Sequence, residues 1–442
     1  MPFQRLSVLV AATLLAACAH HQPLSQEAAP QPLPCPSGIG AEIRCLGGRD
    51  SAGAYYLIAM PKDWNGHLVM HAHGGPFLGE PTAKRVEEDL QRWSIMPRAG
   101  YAWAASSFRQ GGVAVRPAAE DTERLRRLFI QHVAPPKLTF LHGQSWGAGV
   151  AAKGGEMFTQ GKPYDALLLS NGVIGGGTRS YDFRLDLRVV YQYLCGNHPR
   201  PDEPQYPLWQ GLPEGSKLSS ADLAQRSKDC LGLGLPAASR SAEQARKLKT
   251  LIDVIRIPES SVQGHLNWAT FHFHDIASKR TQGRNVFGNI GAVYRGSADD
   301  QALNAGVLRY AADPAAVAQF GADTDPSGKI TVPVLMVHGI DDPIAFVELE
   351  SVFADTMARA GNAGQLVQTF SADSNHSYLS DASYVGLMDA LQAWVSQGRK
   401  PTPASVAQAC QAALTRFPSG CRFQPDYRPQ ALETRVPTRQ RP

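Results

Sequence analysis

Leu141-His142-Gly143-Gln144-Ser145-Trp146-Gly147-Ala148-Gly149 is the stretch on which the reading of this chain turns. Residues 137–141 read as a short apolar strand, the small residues after them as a tight turn, and Val150-Ala151-Ala152 as the start of a helix. A serine therefore stands at the apex of a strand, a turn and a helix. A Gly-x-Ser-x-Gly turn strains the backbone of its central residue, and the flanking glycines leave room for the chain to fold back on itself. The hydroxyl of Ser145 is pushed out over the end of a sheet, where a base and a substrate can reach it.

Upstream, residues 53–61 alternate as an early strand ended by Pro61, and Trp64-Asn65-Gly66 makes a turn. Leu68-Val69-Met70 reads as a buried strand running into His71-Ala72-His73-Gly74-Gly75-Pro76. The glycines of such a loop let the backbone approach a reacting carbonyl closely, with amides that can point at an oxyanion. Residues 87–98 have a helical pattern, residues 101–106 form another strand, and residues 118–133 an amphipathic helix closed by Pro135-Pro136. The next strand, 164–170, ends in Asn171-Gly172-Val173-Ile174-Gly175-Gly176-Gly177. This alternation predicts an α/β protein with a mostly parallel sheet and helices on both faces.

The alternation then stops. Residues 178–328 contain helical stretches at 184–194, 220–229, 241–257 and 265–279, no strong strand and one couple of cysteines. They read as a mainly helical cap inserted between a first core segment, 35–177, and a second, 329–397. Trp268, Phe271, His272, Phe273 and His274 could line a substrate pocket or fill a core. The spacing of His272 and His274 does not let both face one way on a helix, so no metal site is read there. Residues 332–338 resume the sheet and end in Gly339-Ile340-Asp341-Asp342-Pro343; a helix at 349–360, a last strand at 365–370, the segment Asn375-His376 and a closing helix at 384–396 follow. Residues 398–442 read as a proline- and arginine-containing tail laid over the surface and stapled by a disulfide.

At 442 residues, one large α/β domain with an insertion, or two domains, is expected. An apolar content of 43 % and a charged content of 19 % are ordinary for a globular protein. The net charge of +4 comes with no dense basic face, which argues against nucleic-acid binding; Arg124-Leu125-Arg126-Arg127 reads as a solvated helix face. Arg5 and the apolar run 6–17 form a secretory signal, too short to span a bilayer. Leu15-Ala16-Ala17-Cys18 resembles the lipobox of bacterial lipoproteins, which implies cleavage after residue 17, a lipid on Cys18 and membrane attachment through it. Ala19 looks like the pattern associated with outer-membrane sorting, and residues 18–34 read as a flexible tether. The other six cysteines fall into local couples, Cys35 with Cys45, Cys195 with Cys230 and Cys410 with Cys421, which an oxidising compartment would pair. No Cys-x-x-Cys or His-x-x-x-His spacing supports zinc.

His73-Gly74-Gly75-Pro76, Gly143-Gln144-Ser145-Trp146-Gly147, His338-Gly339-Ile340-Asp341-Asp342-Pro343 and Asn375-His376, in that order with a cap between the second and third, resemble an α/β-hydrolase over residues 55–394. The resemblance implies a serine hydrolase needing no cofactor. Its nucleophile would be Ser145, its general base His376, and its acid one of the Asp341-Asp342 pair, the family spacing His-Gly-x-x-Asp favouring Asp342. The oxyanion donors it implies are the amides of Trp146 and Gly75; Pro76 has no amide to give. Two branches are similar in different ways. His-Gly-Gly-Pro with Gly-x-Ser-Trp-Gly resembles the prolyl aminopeptidases, which hold a substrate amine on cap carboxylates, and here Glu259 is the candidate. The Trp64-Asn65-Gly66 opening, the disulfides and the export resemble secreted esterases of the feruloyl-esterase or tannase kind, although Gln144 and Asn375 stand where those relatives often carry cysteines. Expected activities are thus hydrolysis of a carboxylic ester or, as the alternative, of a peptide, with a lipid-anchored binding protein on a hydrolase scaffold as a further possibility.

Overall fold

The computed structural model describes residues 27–418 and 420–442. The signal segment, Cys18 and most of the tether lie outside the described residues. Nine strands form one sheet: β1 (Gln31–Leu33), β2 (Ile43–Arg49), β3 (Tyr55–Pro61), β4 (His67–Ala72), β5 (Ala102–Ser106), β6 (Leu138–Gln144), β7 (Ala166–Ser170), β8 (Val334–Gly339) and β9 (Leu366–Ser371). Their spatial order is β1-β2-β3-β5-β4-β6-β7-β8-β9. The pairs β1/β2, β2/β3 and β3/β5 are antiparallel, and every pair from β5 to β9 is parallel. The chain has the α/β-hydrolase fold.

Helices cover both faces, so the central strands are buried on both sides and read as continuous apolar runs. Period-two alternation divides each strand between two cores. Met70, Leu141, Leu167, Leu169 and Met336 belong to one hydrophobic cluster, and Val69, Phe140, Leu168, Leu335 and Val337 to the other. Between β7 and β8 lie helices including Asp182–Cys195, Ser220–Leu231, Ala242–Ile255, Glu259–Asn267 and Pro314–Thr324, with no strand. Ser219 and Ser241 cap two of them in reciprocal capping boxes. The insertion's buried residues, among them Leu187, Leu223, Leu251 and Leu266, continue the first cluster. Among the described residues no helix is long and apolar enough to cross a membrane.

Four expectations are corrected. The end of the tether is not free: Gln31–Leu33 pairs with Cys45–Gly47, and the Ser51 amide donates to Glu27 at 2.9 Å. Edge pairing needs only backbone groups and tolerates Pro32, and the Cys35–Cys45 disulfide holds the segment in place. The helix expected at 87–98 runs over Ala83–Arg92 and resumes as the short Ile95–Arg98, since Pro97 has no amide to continue the ladder. The helix expected at 265–279 begins at Glu259 and contains two wide turns, Trp268–His272 and Ile276–Arg280. The tail is not merely laid on the surface. Its helix Pro403–Ala413 buries Val406, Cys410 and Ala413 against Asp381–Gln397, and a methyl at Gly386 would lie 2.5 Å from the Cys410 amide. Farther on, Leu432 and Val436 are buried and the Arg439 guanidinium lies between Asp182 and Asp186. The disulfides are Cys35–Cys45, Cys195–Cys230 and Cys410–Cys421.

Candidate active site

Strand β6 ends at Gln144 and the helix Trp146–Met157 begins one residue after Ser145, which holds φ 57° and ψ −123°. That conformation is costly for a residue with a Cβ and persists only where the surroundings enforce it. The Ser145 amide donates to the Ser170 carbonyl at 2.9 Å, and its own carbonyl accepts from Val173 and Ala148 at 3.0 Å each. Close approach explains the glycines. A methyl at Gly147 would lie 2.1 Å from the Ala72 carbonyl oxygen, and one at Gly143 2.1 Å from that of Gly147. The turn is therefore wedged between the ends of β4 and β7.

Ser145, His376 and Asp342 meet above this turn. His376 Nε2 is 2.7 Å from Ser145 Oγ, and His376 Nδ1 is 2.7 Å from Asp342 Oδ2. A carboxylate only accepts, so Nδ1 carries the proton and Nε2 is left to accept from the serine hydroxyl. The other Asp342 oxygen accepts from the amides of Ile344 and Ala345 at 2.8 and 3.1 Å. Asp341, the open alternative from the sequence, is exposed, and its amide is bonded to the Asp373 carbonyl at 3.1 Å.

Behind Asp342 stands a group that the sequence reading used only as a motif letter. His338, fully buried, has Nδ1 2.7 Å from Glu350 Oε1 and Nε2 2.9 Å from the Ala345 carbonyl and 3.5 Å from Asp342 Oδ2. Burial alone would push its pKa down, but hydrogen bonds and charges from Asp342 and Glu350 raise it from 6.5 to about 10. Burial likewise opposes the Asp342 charge, yet His376 and His338 more than offset it and hold that carboxyl well below its ordinary range. A proton held more tightly in the folded state stabilises below the unfolded pKa and stops doing so as pH rises through the folded one. Stability from His338 is thus complete below about pH 6.5 and fades toward pH 10. Urea midpoints should fall between about pH 7 and about pH 9.5, and the fall should flatten in His338→Gln; equal slopes in the two proteins would contradict the assignment.

The loop bearing His376 is held by two amides that the sequence reading did not single out for this work. Asn171 Nδ2 donates to the carbonyls of Asn375 and His376 at 3.0 and 2.7 Å, while its Oδ1 accepts from the Gly339 amide at 2.8 Å. Gln144 Nε2 donates to the same His376 carbonyl at 2.9 Å. Gln144 thus ties the residue beside the serine to the histidine loop by a hydrogen bond. The available signal was a fully polar residue directly after the apolar strand β7. Asn171→Ala should leave the Asn375 carbonyl and the Gly339 amide unmatched and the His376 carbonyl with Gln144 alone, lowering stability by about 2–3 kcal/mol and kcat by about 10- to 100-fold through displacement of His376. Chemical denaturation beside steady-state kinetics on an ester would check both; an unchanged kcat would remove Asn171 from this role.

The glycine loop comes closest at Gly74, where a methyl would lie 3.2 Å from Ser145 Cβ and 2.2 Å from Gln144 Oε1. The Gly74 carbonyl faces Arg85 Nη2 at 2.9 Å and His73 Nδ1 at 3.0 Å. In a trans peptide the following amide, that of Gly75, points the opposite way. Trp146 is the first residue of its helix, so its amide has no intrahelical acceptor. Beside them a cavity of about 240 Å³ is walled by Phe77, Phe108, Trp146 and His73. The cap closes the site from above: His272 Nε2 lies 2.8 Å from the Pro76 carbonyl and His265 Nε2 2.9 Å from that of Pro343. Of the aromatic run, Phe273 is buried in the core, while Trp268, Phe271 and His272 are half-buried. His274 is turned away, with Nδ1 3.0 Å from the Leu212 carbonyl. Glu259 is engaged by Arg240, whose Nη1 donates to it at 3.0 Å. Among the described residues no group of three or more His, Cys, Asp or Glu is placed to hold a metal ion.

No protein-family model matches this sequence, and no curated protein matches it. Solved structures with similar architecture include an esterase from Aspergillus oryzae, at 13 % identity over 84 % of this chain and 85 % of that one, TM-score 0.43. Feruloyl esterase B from Aspergillus oryzae is 11 % identical over 85 % and 88 % of the two chains, TM-score 0.42. The rice cell wall degrading esterase LipA from Xanthomonas oryzae is 11 % identical over 84 % and 96 %, TM-score 0.39.

Proposed function

We propose that this protein is a serine hydrolase that cleaves carboxylic esters through an acyl-serine intermediate. The observation that carries the reading is the unbroken hydrogen-bond line from Ser145 Oγ through His376 to Asp342. A serine hydroxyl is a weak nucleophile at neutral pH until a base takes its proton. As Ser145 Oγ attacks the ester carbonyl, His376 Nε2 accepts that proton, and Asp342 stabilises the imidazolium while fixing its orientation. The oxygen of the tetrahedral intermediate gathers negative charge, and the amides of Trp146 and Gly75 are the donors assigned to it. His376 then protonates the departing alkoxide, and water repeats the sequence to release the acid. No metal or organic cofactor is assigned a part in it.

An ester is favoured over an amino-terminal peptide because the cap carboxylate nominated for a substrate amine, Glu259, is already spent on Arg240. The reading extends to location: export to the cell envelope, with a lipid on Cys18 as the membrane anchor. The sequence Leu15-Ala16-Ala17-Cys18 supports it, as do three disulfides of a kind that persists in oxidising compartments. A p-nitrophenyl acyl series assayed beside aminoacyl anilides tests the activity. Turnover of the esters alone is expected. Turnover of the anilides alone would establish a peptidase, and turnover of neither a binding protein.

A further inference from the structure

Arg184 opens the cap's first long helix and is 4 % exposed. Its guanidinium carbon lies 4.3 Å from the centre of the Trp268 ring, 4.6 Å from Phe183 and 5.2 Å from Tyr181. Aromatic faces attract a cation but offer no lone pair to its N–H groups. Among the described residues the one oxygen it reaches is the Ser180 carbonyl, 3.4 Å from Nη1, and its buried Nε has no partner. Burial pushes its pKa down to about 10, with only Tyr181 acting in the other direction. Arg439 has Asp182 and Asp186, and Arg226 has Glu203; Arg188 also lacks an acid among the described residues and its Nε is unpartnered, but its Nη atoms reach three oxygens, those of Thr270, Tyr206 and the His198 carbonyl. An unpaired buried charge is costly, and a fold that keeps one has a use for it or a partner that arrives later.

The rings around Arg184 lead directly to the site. Trp268 stacks on His272 at 4.7 Å, and His272 is bonded to Pro76 of the glycine loop. Phe183 packs edge-on against His265 at 4.9 Å, and His265 is bonded to Pro343 beside Asp342. His265 feels the charges of Arg184, Asp342 and His376 together. The guanidinium is thus held in the cap between the two loops that flank Ser145.

We infer that Arg184 receives a carboxylate carried by the substrate, so that the esters cleaved at Ser145 are anionic: half-esters of dicarboxylic acids, or hydroxy or phenolic acids acylated on the hydroxyl with their own carboxyl free. A guanidinium and a carboxylate match in fork geometry, and the dry aromatic surroundings strengthen their pairing. This rests on the serine-hydrolase reading for the position of the scissile bond, and its binding part can be measured without it.

Matched substrates separate the two sides of the ester. Monophenyl glutarate against phenyl pentanoate places the carboxylate on the acyl side, and 4-acetoxybenzoate against phenyl acetate places it on the leaving group. The wild-type protein should prefer the charged member of one pair by about tenfold or more in kcat/KM. Arg184→Gln should lower that charged-to-neutral ratio by about 10- to 100-fold, and Arg184→Lys should restore part of it. Absence of preference in both pairs, or a preference that survives Arg184→Gln, would overturn the inference. Calorimetric titration of the Ser145→Ala protein with glutarate and 4-acetoxybenzoate reads the binding alone. Arg184-dependent binding without turnover of any ester would retain the inference and discard the hydrolase, whereas ester turnover without charge preference would do the reverse. Folding is checked by Arg184→Met, which relieves an unpaired charge and should raise the unfolding temperature by about 2–4 °C; a lowered temperature would mean that Arg184 is a structural residue and would also overturn it.

Discussion

Replacing Ser145 with alanine should lower kcat on a p-nitrophenyl ester by about 10⁶-fold, with little change in the unfolding temperature. The size follows from the single role given to the hydroxyl: without it there is no acyl-serine, and His376 has nothing to deprotonate. The small stability effect has its own reason. Alanine carries the same Cβ as serine, so the strain at φ 57° is common to both proteins, and among the described residues Ser145 Oγ bonds only to His376. His376→Ala introduced into the Ser145→Ala protein should then add almost nothing, because residues acting as one unit do not contribute additively. Residual turnover from the oxyanion amides and binding should remain about 10³- to 10⁴-fold above the uncatalysed rate. A Ser145→Ala enzyme within tenfold of wild type would sink the mechanism.

Asp342→Asn should cost about 10⁴-fold in kcat, and Asp341→Asn almost nothing. Asp342 Oδ1 accepts from two amides, so an asparagine there must put its carbonyl oxygen on that side and its NH₂ toward His376. His376 Nδ1 would then have to accept, Nε2 would carry the proton, and the imidazole could no longer receive one from Ser145. Asp341 is exposed and contributes only its backbone to the turn. Kinetics on the two single variants distinguish these neighbours cleanly; equal losses would mean that the turn, and not the carboxylate, matters.

Much of the site was legible because it depends on local chemistry. A strained serine needs glycines two positions to either side, and that requirement is written in five consecutive residues. The positions of Asp342 and His376 after apolar strands were equally visible, since buried parallel strands leave unbroken apolar runs. Asn171 was overlooked for the opposite reason. Its work consists of hydrogen bonds to backbone groups more than 160 residues away, and a backbone carbonyl has no sequence signature. The edge strands β1 and β2 escaped for a related cause. Their pairing is mainly a matter of backbone groups, and Pro32, Gly47 and Gly48 weaken the strand pattern in the side chains.

The serine turn, the parallel core strands, the helical insertion and the choice of cysteine couples all follow from periodicity, glycine placement and short separations along the chain. Three-dimensional packing was needed to bring Asp342, which the sequence spacing favoured, and not Asp341 to His376, to set the charged His338 behind it, and to bury Arg184 among three rings with no acid beside it among the described residues. Adjacent residues in a turn look alike until one of them meets an imidazole, and whether a cation is paired depends on groups far apart in the chain. The turn at Ser145 is therefore readable as a string of residues, while the features assigned here to its tuning and its substrate preference arise where distant segments meet.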